Sequence, residues 1–366
     1  MAGGDGIGER KEDMRTLLIV TVVFALVGTA TCATAGYKVT KVIEVGPAVS
    51  LLNGGALKWS PDGTMLAYFA NNHLMISDTL GNSREVAPIQ QGLYPIRAEW
   101  ASAGEFAVCL EDRDRRDSAL FRMVVYDVAT GAERVVDEYY WTQWSHLPGH
   151  TQFTGPYVTV EGEAYYVKTV ITGLEEGDPI QVRRSREFHS ERLPLTSSRS
   201  ATQALASSHL QVWGKDGLYI VDWSGTDSTL LWQKTVPASF RMWTAVSKDK
   251  RYVFNGGKLI DCNSGDLLNV GDFAGAPPEG TQGCGFGFPS FNPHGGEILF
   301  QHYCEGGDTL VIDRIATFDY NERVFNLLDT TVSITGGSFP VYAPNGRIIA
   351  VLAHFKAYLI WREEVK

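Results

Sequence analysis

His146 and His150, in the stretch SHLPGH, are the closest histidine pair in the chain. On a helix, i and i+4 positions would turn both imidazoles toward one metal ion. Pro148 and Gly149 lie between them and disfavour a helix, so the pair reads as loop histidines and no metal is expected. There is no G-x-S-x-G elbow, so no serine-hydrolase nucleophile is expected. The sequence GGSFP around Ser338 reads as the start of a strand. In LEDRDRRDS, Leu110 to Ser118, Arg113, Arg115 and Arg116 interrupt any calcium-type spacing of oxygens, which leaves a solvated hairpin tip. The basic stretch RRSREFHSER, Arg183 to Arg192, reads as an exposed loop able to meet an acidic partner.

Two clusters carry more information. EYYWTQW, Glu138 to Trp144, holds four aromatics in seven residues. Tyr139, Tyr140, Trp141 and Trp144 are therefore candidate binding residues, because aromatic groups bury area at low entropic cost. Buried strand aromatics are the plainer reading. The second cluster is Cys284 with Cys304. If Phe291 faces Glu297 across a hairpin turn, antiparallel register sets the two cysteines opposite one another, and a disulfide is expected. Cys109 and Cys262 read as buried free thiols in strands. No cysteine stands in a C-x-x-C pair, so a zinc or thioredoxin-like site is not expected.

The elements that would position these residues are strands. MLAYFA, FAVCLE, MVVYDV, GLYIVDW, EILFQHY and RIIAVLAHF are short, rich in β-branched and aromatic residues, and separated by Gly, Pro, Asn and Asp turns. No capped amphipathic helix is evident. The chain has 366 residues, 44% of them hydrophobic, and a net charge of -10. That composition supports a sizeable core and argues against nucleic acid as a partner, because phosphate binding needs a basic surface.

The amino end has the order of an export signal. Arg10, Lys11 and Arg15 precede the apolar run TLLIVTVVFALV, Thr16 to Val27, and Ala33 and Ala35 form an A-x-A site. The expected division is a signal over 1–35, with Met14 as an alternative start, and one mature domain over 36–366. An uncleaved anchor and a lipid-modified Cys32 are the alternatives. No other stretch is apolar and long enough to span a membrane, so a monomer in the periplasm or outside the cell is expected.

One pattern repeats. KWSPDGTMLAYF, with Trp59, Pro61, Asp62 and Gly63, returns as EWASAGEFAVCL, with Trp100 and Gly104. It returns again as SFNPHGGEILFQ, with Phe291, Pro293 and Gly295, and as VYAPNGRIIAVL, with Tyr342, Pro344 and Gly346. TAVSKDKRYVFN is a fainter copy without its Gly. Each is a strand, a polar turn and a second strand, with the aromatic anchoring the turn and Gly accepting its left-handed position. A third strand ending in Asp and a polar fourth strand follow. Two less regular units fall at Tyr139 to Glu187 and Ser200 to Val236, with a long interrupted stretch over Gly173 to Ser208. Four-stranded units of this length are the signature of β-propeller blades. The expectation is an all-β, seven-bladed propeller, with six or eight blades as the neighbouring counts. The last unit has three strands, and Tyr37 to Gly46 is unattached; pairing it with Ala357 to Trp361 would complete the last blade and hide both edges. A pair of β-sandwiches with an unpaired leader is the alternative.

WSPDGTMLAY and its echoes resemble the WD40-like repeat of TolB-type propellers. The same repeat occurs in the propeller domains of prolyl-oligopeptidase-type enzymes. The resemblance covers most of the mature chain, but neither the small domain that precedes the propeller in TolB nor the hydrolase domain of the peptidases has a counterpart in this sequence. It implies an exported propeller that binds a protein or peptide partner. From the missing motifs, no catalytic residue is expected, and no cofactor. A propeller enzyme of hydrolase or lyase type is the alternative, to be recognised by converging carboxylates, histidines or a metal at the channel mouth. A carbohydrate-binding surface protein is the other.

Overall fold

The computed structural model describes residues 37–49, 57–112, 118–142, 151–158, 164–172, 187–194, 208–214, 217–224, 227–234, 244–249, 251–281, 283–306, 310–328 and 338–364. By contacts the chain separates into Met1–Tyr37 with Val365–Lys366, and Lys38–Glu364. Apart from Tyr37, every element below belongs to the second unit. The expected export signal lies outside the described residues.

Strand β1 spans Tyr37–Pro47. Antiparallel meanders follow. The first is β2 (Leu57–Trp59), β3 (Met65–Ala70), β4 (His73–Asp78) and β5 (Ser83–Pro88). The second is β6 (Leu93–Trp100), β7 (Glu105–Asp112), β8 (Ser118–Asp127) and β9 (Glu133–Thr142). The third is β10 (Thr151–Val158), β11 (Ala164–Thr172) and β12 (Glu187–Pro194), and the fourth is β13 (Ser208–Gly214), β14 (Gly217–Ser224) and β15 (Asp227–Lys234). The fifth is β16 (Thr244–Val246), β17 (Tyr252–Asn255), β18 (Lys258–Asp261) and β19 (Leu267–Asn269). The sixth is β20 (Gly283–Phe291), β21 (Glu297–Gly306), β22 (Leu310–Asp319) and β23 (Val324–Leu327). The last is β24 (Ser338–Tyr342), β25 (Ile348–Ala353) and β26 (Lys356–Glu364), and its fourth strand is β1, hydrogen-bonded to β26. The described residues contain no α-helix, only a 3-10 turn at Val270–Phe273.

Two expectations need correction. Tyr139 to Thr142 do not open the third unit; they finish β9 of the second sheet, because the pairing of β8 with β9 runs on to Thr142. The stretch Gly173 to Ser208 is not one long loop, since β12 lies inside it and pairs along β11.

The core lies between sheets. Ala67, Phe69, Leu74 and Ile76 of the first sheet meet Trp100, Phe106, Val108 and Val124 of the second. The opposite side chains of β3, Leu66 and Tyr68, meet Ile348, Ala350 and Leu359 of the last sheet. Further cores join the second and third sheets, the fifth and sixth, and the sixth and last. β3, β7, β21 and β25 are thus covered on both faces, which is why MLAYFA and IIAVLA read as continuous apolar runs rather than alternating ones. First strands also touch: β2 with β6, β6 with β10, β16 with β20, β20 with β24, and β24 with β2. The last sheet in chain order therefore packs against the first. Meanders that meet in succession through their first strands are the arrangement of β-propellers.

The place of β1 is set by more than the ladder. Hairpins at Asn71-Asn72, Gly256-Gly257 and His354-Phe355 are two-residue turns with both residues at positive φ. In each, the carbonyl of the second turn residue accepts an N–H from the residue just after the fourth strand. Ile89 donates to Asn72 at 2.6 Å, Val270 to Gly257 at 2.8 Å, and Ala48 to Phe355 at 2.7 Å. Ala48 follows β1 as Ile89 follows β5, so β1 occupies a fourth-strand position in detail. Lys356 Nζ also meets Glu44 Oε1 of β1 at 2.7 Å.

The repeated turn is built by side chains that imitate backbone. Ser60 Oγ donates to Asp62 Oδ1 at 2.6 Å and accepts from the Met65 N–H at 2.9 Å. Ser247, Asp249 and Tyr252 repeat this at 2.6 and 2.8 Å, so the copy without a Gly keeps the same network. Gly63, at φ +71°, is held to Gly by space as well as by conformation: a Cβ there would stand 3.1 Å from Pro344 Cδ of the last sheet. Gly104 departs from the pattern. Its turn closes from Ala101 to Glu105, one residue shorter than Ser60 to Met65, and Gly104 has no positive φ.

Four third strands, β4, β8, β18 and β22, end in an Asp whose carboxylate caps the turn that follows. Asp78 accepts from the Leu80 N–H, Asp127 from Thr130, Asp261 from Asn263 and Asp319 from Asn321, all within 2.9 Å. Hydrogen bonds from Asn82 and Thr130 and the Arg251 guanidinium hold Asp78, Asp127 and Asp261 below the ordinary 3.8. Such groups bind protons more readily unfolded than folded. Their contribution is present above the unfolded pKa and is lost as pH falls through the depressed folded values. Melting temperature is therefore expected to hold steady from neutrality down to about pH 4 and to fall below it. The Asp78→Asn variant should show a shallower acid limb in a thermal-melt series; an unchanged limb would count against this role.

Candidate binding site

Tyr139 and Tyr140 of the aromatic cluster turn to opposite faces of β9. Tyr139 stacks on Phe121, with ring centroids 4.9 Å apart, and packs beside the core shared by the second and third sheets. Burial pushes its phenol well above the usual range. Tyr140, one residue on, faces the other way and is 53% exposed. Trp141 pairs with Ala119 in the ladder, and Trp144, His146 and His150 lie outside the described residues. Tyr139→Ala is expected to cost about 2 kcal/mol in urea unfolding, and Tyr140→Ala less than about 0.5. Equal losses would mean that the two rings do equal packing work.

Cys284 and Cys304 are paired across β20 and β21 and joined as a disulfide. The route to that register differs from the expected one. Phe291 faces Ile298 rather than Glu297, which by itself would offset the cysteines by one residue. A bulge in β20 between Gly287 and Ser290 restores the match, two residues facing one. Cys109 is a buried free thiol whose pKa burial pushes up to about 12. Cys262 is only partly buried and lies just beyond β18, not in a strand; burial raises it to about 11. Leu110 to Asp112 belong to β7, and the arginines of that charge run lie outside the described residues. Ser338 opens β24.

The bulge in β20 is one of a set on the first strands. In β24 the bulge lies between Ser338 and Val341, and in β10 between Thr154 and Tyr157. Each holds an x-Pro pair facing one residue: Phe288-Pro289, Phe339-Pro340 and Gly155-Pro156. Proline suits a bulge because it has no N–H to withdraw from the ladder. Bulges re-aim side chains, and here two of the side chains are aromatic. Phe288 and Phe339 are half-buried, and their centroids stand 3.9 Å apart across the contact between β20 and β24. Both take positive φ, +48° and +56°. That region costs a bulky residue on the order of 1–3 kcal/mol, and such strain gathers at functional sites. The sequence carried a signal for this pair: F-P-S-F-N-P at Phe288 and F-P-V-Y-A-P at Phe339 are one repeated motif.

The same two sheets share a buried ionic contact that sequence patterning does not reveal. Arg362 Nη2 lies 2.6 Å from Glu297 Oε2, and the Tyr342 hydroxyl donates to the same oxygen at 2.8 Å. The guanidinium also donates to the Gly346 carbonyl at 3.0 Å and covers the Tyr342 ring at 4.8 Å. The sixth and last sheets are tied together there.

No protein-family model matches the chain, and no curated protein does. Solved structures that resemble it share little sequence. A chain of the mitotic checkpoint complex has 13% identity and a TM-score of 0.49, over 90% of this chain and 92% of its own length. Virginiamycin B lyase from Staphylococcus aureus has 13% identity and a TM-score of 0.47, over 89% and 99%. The WD40 domain of SCAP from fission yeast has 9% identity and a TM-score of 0.39, over 88% and 98%. One is a lyase and another a WD40 domain, so these likenesses do not choose between an enzyme and a binding module.

Proposed function

We propose that this chain is an exported, seven-bladed β-propeller of TolB-like type that acts as a non-enzymatic platform for a peptide segment of a partner protein. The proposal rests on Phe288 and Phe339. In a propeller the first strands border the central channel. Two aromatic side chains held there in strained backbone, ring against ring, form a preorganised apolar anchor. Preorganisation lowers the ordering cost of binding, and aromatic anchors dominate interface energetics. The order of Arg10, Lys11 and Arg15, an apolar run and an A-x-A site over the first 35 residues supports export.

The test is selection of a random peptide library displayed on phage against the immobilised chain. Enriched peptides should carry apolar side chains, and Phe288→Ala with Phe339→Ala should weaken them by about tenfold or more. Phe288→Gly separates strain from the ring. It should unfold at higher urea than Phe288→Ala, because Gly accepts the positive φ, yet bind as weakly. Enrichment indifferent to both rings would contradict the proposed site.

A further inference from the structure

His302 stands two residues before Cys304 on β21 and so on the same face of the sheet. Cys284 lies opposite Cys304 in the ladder. One ligand atom from each of Cys284, His302 and Cys304 falls within 4.8 Å of the others, and Cys304 Sγ is 3.9 Å from His302 Nε2. Among the described residues this is the one group of three or more His, Cys, Asp or Glu side chains arranged closely enough to hold a metal ion. The imidazole is walled by Phe286 and Phe325, each with its ring centroid 5.3 Å away. Both His302 and Cys304 are buried.

We propose that the disulfide conceals a zinc site: reduction of Cys284–Cys304 frees two sulfur ligands that, with His302, take one Zn2+. A dithiol reductant supplies the two electrons and two protons. Its own S–H bonds are lost as its disulfide forms, while the Cys284–Cys304 bond breaks and each cysteine gains a proton. Zinc then displaces both thiol protons to solvent and takes a lone pair from a neutral imidazole nitrogen. Zn–S bonds of about 2.3 Å set tetrahedral sulfurs roughly 3.8 Å apart. The Cys304 to His302 spacing is already near that edge length, so the cysteines need only part modestly. Two thiolates and an imidazole suit a thiophilic borderline ion rather than calcium or magnesium. The partly exposed Cys284 side leaves a fourth position open to water. Because the same sulfurs make the disulfide, the oxidised chain cannot bind zinc in this way.

Cobalt(II) added to the full chain is the probe, before and after reduction without oxygen. The reduced chain should take up one cobalt with thiolate-to-cobalt charge-transfer absorption, and zinc should displace it. The oxidised chain should show no such band. His302→Gln keeps the disulfide and should weaken uptake by the reduced chain by about tenfold or more. Replacing Cys109 and Cys262 by Ala should leave the band in place. The proposal is overturned by a reduced chain that takes no cobalt, by uptake unchanged in His302→Gln, or by a band that vanishes with Cys109 and Cys262. Unfolding on reduction, followed by circular dichroism, would overturn it as well.

Discussion

Trp100→Ala is expected to lower stability by about 3–5 kcal/mol, read from the urea midpoint. The side chain is 1% exposed, packs edge-on against Phe106 at 5.3 Å, and fills the core between the first and second sheets. Its indole N–H also donates to the Lys58 carbonyl of the neighbouring sheet at 2.8 Å. Trp100→Phe keeps most of the apolar area and loses that hydrogen bond, for an expected loss of about 1 kcal/mol more than packing alone gives. Trp59 supplies the control. It holds the same place before its turn, but its buried indole nitrogen has no hydrogen-bond partner among the described residues. Trp59→Phe should therefore cost less than Trp100→Phe. A reversed order would mean that the turn aromatics are not tied to neighbouring sheets as described.

The second large effect is expected at Arg362. Arg362→Met leaves the Glu297 carboxylate buried with only the Tyr342 hydroxyl for support, and breaking a buried pair from one side costs about 3–5 kcal/mol. Glu297→Leu alone should be damaging for the mirror reason. Exchange of both residues for apolar ones of similar volume removes the two uncompensated groups together. The double variant Glu297→Leu with Arg362→Met should thus recover much of the loss, giving a coupling energy of about 2 kcal/mol or more in a double-mutant cycle. Simple additivity would show that the two groups are solvated independently and do not tie the sixth sheet to the last.

These two residues mark where reading the sequence stopped. Trp100 was legible because it sits in a pattern: an aromatic, a polar turn and a second strand, written again at Trp59, Phe291 and Tyr342. The pairing of β1 with β26 was legible for a physical reason too. A last unit short by one strand and a leading strand without a partner leave two exposed edges that cancel. Arg362 was not legible, because its partner comes from another sheet and no local periodicity joins them. The bulges were legible only through the Pro within each of those first strands, since one extra residue changes no composition. The cysteine pairing shows the consequence. The expected turn register was off by one residue and the bulge at Phe288-Pro289 corrected it. Phe288 and Phe339 themselves could have been found from their repeated F-P motif. The cluster at Tyr139 was misplaced by one sheet because its aromatics run past the usual end of a fourth strand.

Hydrogen exchange followed by mass spectrometry on the intact chain tests the central claim most directly, namely that β1 closes the last sheet as its fourth strand. Amides over Lys38 to Val45 are predicted to exchange as slowly as those over Tyr358 to Arg362, and to become labile at the same urea concentration. Fast exchange over Lys38 to Val45, while Tyr358 to Arg362 stay protected, would contradict it.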